Sequence, residues 1–265
     1  MKPLFSTQLP CLLLLSALTG SVQADKPHWQ KNDYILDSFV DISLNREHGG
    51  RSGQVTKWLR PVRYQIVDRT GDQQLHQKMV AAHLYHLSFI TGLDIKPATN
   101  TEKANLHIIF GSEQDLDKAL LNDFGLSNDT FRQQIAHSSV CIARVKASAK
   151  GEITSAGVII PVDRARAHGK LMSCVVEELT QVLGLVNDSS RVFPSIFNDR
   201  SYNDFLSGLD YVLLKLLYEP GIRAGMTETG LRKKLDIILS QPAFQPVIDT
   251  ADQAVRQHSL ENWLN

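Results

Sequence analysis

Residues 174–188 read Cys-Val-Val-Glu-Glu-Leu-Thr-Gln-Val-Leu-Gly-Leu-Val-Asn-Asp, and they decide how the rest of the chain is interpreted. Apolar residues recur at helical spacing, so the stretch predicts a helix that ends at Gly184 or just past it. Glu177 and Gln181 are four residues apart and therefore share one face of that helix. Asn187 follows three residues after the glycine. Such spacing is typical of a helix and a following turn whose side chains point towards one shared site.

The same register matches the long zinc-binding pattern H-E-x-x-H-x-x-G-x-x-H. Glu177, Gln181 and Asn187 stand at the three histidine positions, whereas Glu178 and Gly184 keep the glutamate and the glycine. The stretch therefore resembles the metal-binding helix of the metzincin zinc proteases. The resemblance implies that the frame of the site is retained while its metal ligands are replaced.

The flanking sequence extends the resemblance, which is most specific to the matrixins among the metzincins. It covers residues 56–220 and implies an α+β, zincin-like fold with a mixed twisted sheet, a long first helix, an active-site-type helix and a C-terminal helical part. In this resemblance Phe197 takes the place of a methionine and is expected to fill the floor of the former metal site. The matching segments are Ser195, Ile196 and Phe197, the Leu-Ser-x-x-Asp pattern at residues 206–210, Leu217 with Tyr218, and upstream residues 91–93 and 104–110.

A second resemblance concerns residues 176–189 taken together with residues 194–199. This combination is similar to exported bacterial proteins grouped as domain of unknown function 2927. That grouping implies no established activity. It agrees with a zincin-like domain whose metal-binding helix has been rewritten.

The chemistry of the replaced positions argues against a metal site. Zinc prefers thiolate and imidazole ligands, but Glu177, Gln181 and Asn187 offer one carboxylate and two amides. One carboxylate is also little charge for calcium or magnesium. We therefore expect no metal and no other cofactor, and we expect the amide of Gln181 to donate a hydrogen bond to Glu177 instead.

Two classes of function remain open. In the first, the protein is not a catalyst and binds a peptide or protein in the former substrate cleft, between the helix and an edge strand, by strand addition. In the second, the protein is a hydrolase in which Glu178, paired with Gln181, acts as general base. His168 precedes this helix and is interpreted as a solvated loop residue. A packed, hydrogen-bonded cluster favours the first class, and polar side chains that converge in an open cleft favour the second.

The N-terminal residues are typical of an export signal. Lys2 precedes an apolar run at residues 9–18, and small residues lead to an expected cleavage site after Ala24. The run is about half the roughly 20 residues that span a bilayer, so we expect a periplasmic or secreted mature chain without a membrane segment. Cleavage leaves Cys141 and Cys174 as the remaining thiols, and they are predicted to form a disulfide.

The 265 residues include 28 basic and 28 acidic side chains, which does not suggest a nucleic-acid partner. Periodicity divides the mature chain into an irregular lead-in at residues 25–55, the metzincin-like domain, and a helical tail at residues 221–265. A helix is predicted over residues 72–91, and its histidines at positions 76, 83 and 86 are interpreted as part of a solvated face. The oligomeric state is left open.

Overall fold

Five strands form one mixed sheet in the computed structural model, which describes residues 26–45, 53–198, 200 and 203–263. The strands lie in the order β2-β1-β3-β5-β4, and neighbours are parallel except for β4, which runs antiparallel to β5. The α+β class expected from the sequence is confirmed. The strands are β1 (Val62–Asp68), β2 (Ile95–Pro97), β3 (Leu106–Gly111), β4 (Ile142–Ala147) and β5 (Ile153–Pro161).

Helices cover both faces of this sheet. The described part of the chain contains α1 (Asn32–Leu44), α2 (Gln73–Thr91), α3 (Leu116–Asn122), α4 (Asp129–Ser138), α5 (Val162–Ala167), α6 (Leu171–Gln181), α7 (Gly208–Leu217), α8 (Glu228–Leu239), α9 (Gln245–Asp249) and α10 (Ala251–Ala254), with short 3-10 helices at His28–Gln30, Glu113–Asp115 and Leu260–Trp263. In these described segments, no helix combines the length and the apolar character needed to cross a bilayer.

The sheet separates two groups of apolar side chains. The larger group lies on the face covered by α2 and α6, with α1, α7 and α8 packed behind them. The smaller group lies on the opposite face, where α3 and α4 cover β3, β4 and β5. Phe124 of the segment between α3 and α4 packs so closely on Gly157 that an added Cβ there would lie 2.6 Å from its ring. The α3–α4 pair therefore packs tightly against the sheet beside the edge strand β4.

The expectation of an irregular lead-in over residues 25–55 is wrong for its central part. Residues 32–44 form α1, which buries Ile35, Phe39 and Ile42 completely. These three residues follow one another at spacings of four and three, which places them on one helical face. The glycines at positions 49, 50 and 53 obscured this short period in the sequence. The C-terminal tail is helical as expected, and α8 packs against α1.

The interpretation of the α2 histidines as a solvated face is also wrong. His76, His83 and His86 are all buried. Positions 76, 83 and 90 are seven apart and therefore lie on the same apolar stripe of α2. The Nε2 atom of His83 lies 3.0 Å from the carbonyl oxygen of Val176 and 3.1 Å from the hydroxyl of Thr180. His83 therefore joins α2 to α6 through a polar contact inside the core.

The predicted disulfide is confirmed. Cys141 and Cys174 are bonded, with their Cα atoms 5.8 Å apart. Cys141 directly precedes β4, and Cys174 lies in the second turn of α6. The bond therefore ties the edge strand to the helix that carries the motif.

Buried histidines make the stability of the fold depend on pH. Burial lowers the pKa of His83 to about 3, whereas the unfolded chain takes up this proton near pH 6.5. Protonation therefore favours the unfolded state, and stability falls as the pH drops below 6.5. We expect one such histidine to reduce the free energy of unfolding by roughly 2 kcal/mol between pH 7.5 and pH 5.

Urea denaturation of wild type, His83→Gln and His137→Gln at both pH values checks this expectation. Glutamine keeps a hydrogen-bonding side chain but does not titrate, so His83→Gln should lose less stability in acid than wild type. His137 is exposed on α4, and its variant should behave as wild type. Equal acid losses in wild type and His83→Gln would contradict this interpretation.

Candidate functional site

Helix α6 positions the residues of the motif. Its apolar face buries Val175, Val176 and Leu179, which fixes the rotation of the helix on the sheet. Glu178 is 6% exposed and Gln181 is 5% exposed. Glu177 is only partly buried, because it lies about 100° around the helix from Glu178. The polar residues of the motif therefore differ in their access to solvent.

The end of α6 is held by three contacts. The Nε1 group of Trp58 donates to the carbonyl of Val182 over 2.8 Å, and the hydroxyl of Tyr218 donates to the carbonyl of Leu183 over 2.8 Å. Gly184 follows with a positive φ of 122°, and a Cβ on it would lie 2.0 Å from the carbonyl oxygen of Thr56. Only glycine fits this position without displacing the backbone. Tyr218, known from the sequence only as the end of a Leu-Tyr pair, is thus a cap of α6.

The side chain of Gln181 turns to the loop that follows its own helix. Its Nε2 group donates to Oδ1 of Asp188 over 2.8 Å. The prediction that Gln181 donates a hydrogen bond to Glu177 is therefore wrong. Gly184 follows the helix with a positive φ, and the loop after it brings Asp188 back to Gln181.

Asn187 points away from Gln181 and contacts α1. Its Nδ2 group donates to the carbonyl of Asp41 over 3.1 Å, and its backbone N–H donates to the carbonyl of Ile42 over 3.1 Å. The carboxylate of Asp41 also accepts a hydrogen bond from Ser189 over 2.5 Å. The loop after α6 is therefore fastened to α1, an element whose role the sequence analysis missed.

Two of the three positions that match the histidines of the zinc motif thus serve different contacts, and Glu177 at the third position is half-buried. Gln181 donates a hydrogen bond to Asp188, and Asn187 donates one to α1. Both side chains are buried. Among the described residues, no three His, Cys, Asp or Glu side chains are arranged as a set of metal ligands. His168 is exposed at the end of α5.

A buried carboxylate holds the turn at residues 195–197. Oδ1 of Asp210 accepts a hydrogen bond from the hydroxyl of Ser195 over 2.6 Å, and Oδ2 accepts one from the backbone N–H of Ile196 over 3.0 Å. Burial raises the pKa of Asp210, while these donors and Ser207 act in the opposite direction. Asp210 also caps α7 together with Ser207, a role that the Leu-Ser-x-x-Asp pattern indicates. Phe197 is fully buried in the main core, as the sequence predicted.

An open cavity of about 270 Å³ lies beside the edge strand β4, and we call it the β4 cleft. Its walls come from the α3–α4 pair, from β4, and from the end of α6 with its neighbours. Apolar and polar surface contribute almost equally to the lining, which includes two aromatic rings. The residues that line it are Thr56, Phe124, Leu126, Phe131, Ile135, Ile142, Ala143, Arg144, Val145, Gln181 and Val186.

Most of these lining residues could not be identified from the sequence. They come from four distant segments, and of the motif positions only Gln181 takes part. Glu177 and Glu178 do not line the cleft. Thr56 contributes a buried hydroxyl, whose oxygen has no hydrogen-bond partner in the described structure. The walls of the cleft therefore combine apolar side chains with polar groups.

We expect Gly184→Ala to lower the free energy of unfolding by roughly 2–3 kcal/mol, because alanine strains a positive φ and its Cβ meets the carbonyl of Thr56. Gly230→Ala is the matched control. Gly230 is exposed within α8 and has open space around it, so alanine should raise stability by about 0.5–1 kcal/mol. Urea denaturation checks both variants, and a neutral Gly184→Ala would contradict the close contact.

Comparison with known proteins places this geometry in a family. The family model described as "Protein of unknown function (DUF2927)" matches residues 32–236. Searches among curated proteins and among solved structures gave no match. The matched segment begins with α1 and extends into α8, so it contains the sheet, α6, the turn at residues 195–197 and the β4 cleft. The chain therefore belongs to the DUF2927 family.

Proposed function

We propose that this chain is an exported, noncatalytic protein with a metzincin-like fold, which binds an extended peptide or protein segment in the β4 cleft by strand addition. The observation that carries the proposal is the position of the cleft along an edge strand. β4 pairs with β5 on one side, and the cavity lies beside it. An edge strand leaves alternate N–H and C=O groups available to a further strand.

The composition of the cleft supports a peptide as the occupant. Pockets for alternate side chains give specificity when an edge strand binds a peptide. Here Leu126 and Phe131 line the α4 side, whereas Gln181 and Val186 line the α6 side. The disulfide joins the start of β4 to α6, so these two walls are held together before a ligand arrives.

Three structural features support the metzincin-like layout. The succession of β1, α2 and β3 follows the order implied by the resemblance. The edge strand β4 precedes the motif helix α6 and lies against it. Asp210 joins the turn at residues 195–197 to α7, which connects the two segments after the helix that carried the resemblance.

The packing of the motif supports a noncatalytic role. Gln181 and Asn187 form a buried, hydrogen-bonded arrangement rather than an open group of side chains. Glu178, the candidate general base, is buried and does not line the cleft, so it has no direct access to a ligand there. This arrangement favours binding over hydrolysis.

Export is supported by the disulfide, because such bonds persist in oxidising compartments. The expected signal peptide at residues 1–24 and its cleavage site after Ala24 lie outside the described residues.

We expect Val186→Trp to block ligand binding, because the larger side chain fills the β4 cleft. Peptides selected from a random displayed library on the wild-type protein are the probe. They should bind Val186→Trp at least about tenfold more weakly, a loss that corresponds to one unburied apolar side chain. Ile237→Trp, at an exposed position on α8, is the control and should bind as wild type. Selected peptides with equal affinity for all three proteins would contradict the site.

We also expect no Glu178-dependent hydrolysis and no stabilising metal. A mixed pool of fluorogenic peptides should give the same background signal with wild type and Glu178→Gln. EDTA should leave the melting temperature unchanged, since a metal bound to the native state would stabilise it by linkage. Cleavage that disappears in Glu178→Gln, or a melting temperature that EDTA lowers and zinc restores, would favour a hydrolase instead.

A further inference from the structure

Two cations, Arg144 and Lys146, lie on β4. Arg144 is half-buried and donates to the carbonyl of Phe124, a neutral acceptor. Lys146 is exposed on the same strand. Within the described residues, neither side chain forms an ion pair with a carboxylate. The other well-buried arginines do: Arg63 pairs with Asp94, Arg132 with Asp117, and Arg164 with Glu113.

The strand period places both cations on one face of β4. Ile142 packs with the apolar group under α3 and α4, and Arg144 reaches Phe124 on that same side. Lys146 has the same parity, because successive residues of a strand point to opposite faces. Ala143 and Val145 point the other way and pack against the main core.

A peptide strand paired with β4 would also direct its alternate side chains to these two faces of the sheet. Its alternate side chains would lie on the face of Arg144 and Lys146, directly opposite or diagonal to them. A carboxylate there meets two cations without competing acidic partners. A side chain two positions away lies on the same face, next to Leu126 and Phe131, where the cleft is apolar.

We propose that the β4 cleft selects an acidic extended segment in which a carboxylate and a bulky apolar side chain are two positions apart. This inference rests on the strand addition proposed above and adds the chemical class of the ligand. A half-buried guanidinium without an anion is costly, and an arriving carboxylate offsets that cost.

The opposing explanation is that the charges protect the edge. Lysines on edge strands prevent unwanted pairing between sheets, and in that role they favour no particular ligand charge. The two explanations therefore differ in whether binding depends on the charge of the peptide.

The test uses three threonine peptides of six residues, the length of β4. The first carries phenylalanine and glutamate two positions apart, the second has lysine in place of the glutamate, and the third has phenylalanine and glutamate adjacent. Fluorescence anisotropy with the full mature chain measures their affinities at low salt. We expect the first peptide to bind about tenfold more tightly than either of the others.

Charge reversal on the protein supplies the matched control. Lys146→Glu should remove or reverse the preference for the glutamate peptide over the lysine peptide. Lys150→Glu changes the same charge on an exposed turn outside the strand and should keep the wild-type preference. Lys146 and Lys150 are both exposed, so neither variant should disturb folding.

The outcomes separate the two proposals. If the glutamate and lysine peptides bind equally well, the acidic ligand class is overturned while strand addition stands. If the adjacent peptide binds as tightly as the first, the spacing of the two side chains is overturned. If none of the three peptides binds, the inference fails together with the proposed use of this cleft.

Discussion

The close approach of Gly184 to Thr56, just after α6, constrains the segments around the cleft. A glycine is needed there because the carbonyl of Thr56 occupies the space of a side chain. The same contact brings Thr56 to the end of the helix, where its hydroxyl joins the lining of the cleft. It also reverses the chain, so that Asp188 returns to Gln181 and Asn187 reaches α1. The contact between Gly184 and Thr56 therefore affects both the wall of the cleft and the hydrogen bonds of Gln181 and Asn187.

Three further contacts hold α6 and the segments around it in place. The disulfide fixes the start of β4 against α6, and the carboxylate of Asp210 fixes the turn at residues 195–197 against α7. His83 joins α6 to α2 from the opposite side. A site that is held in place before binding loses less conformational freedom when a ligand arrives. The protein thus combines a rigid frame with an edge strand that is open to pairing.

The sequence predicted those features that local patterns encode. Helical spacing identified α2, and the cysteine count identified the disulfide. It did not predict the burial of His83, because a polar residue on an apolar stripe is indistinguishable from one at its margin until a partner helix is placed. It missed α1 because a short amphipathic period was followed by glycines. The cleft itself joins residues such as Thr56 and Phe131, which no local pattern connects.

The motif shows that helical spacing alone does not determine which contacts its side chains make. Glu177, Gln181 and Asn187 keep the spacing of a metal site, but spacing on a helix does not determine where each amide finds an acceptor. Asp188 and the carbonyl of Asp41 are available only because the loop after Gly184 folds back and because α1 is present. The sequence identified the helix and the turn that follows it, whereas the hydrogen bonds that their side chains form depend on tertiary structure.

The proposed function depends on whether β4 accepts an additional strand. Hydrogen exchange of its backbone amides, measured by NMR with and without a saturating selected peptide, tests this most directly. We expect alternate amides within Ile142–Ala147 to exchange rapidly in the free protein and to become protected when the peptide binds. Bound peptide that leaves these amides unprotected, with protection confined to another surface such as the α1–α8 side, would contradict the account.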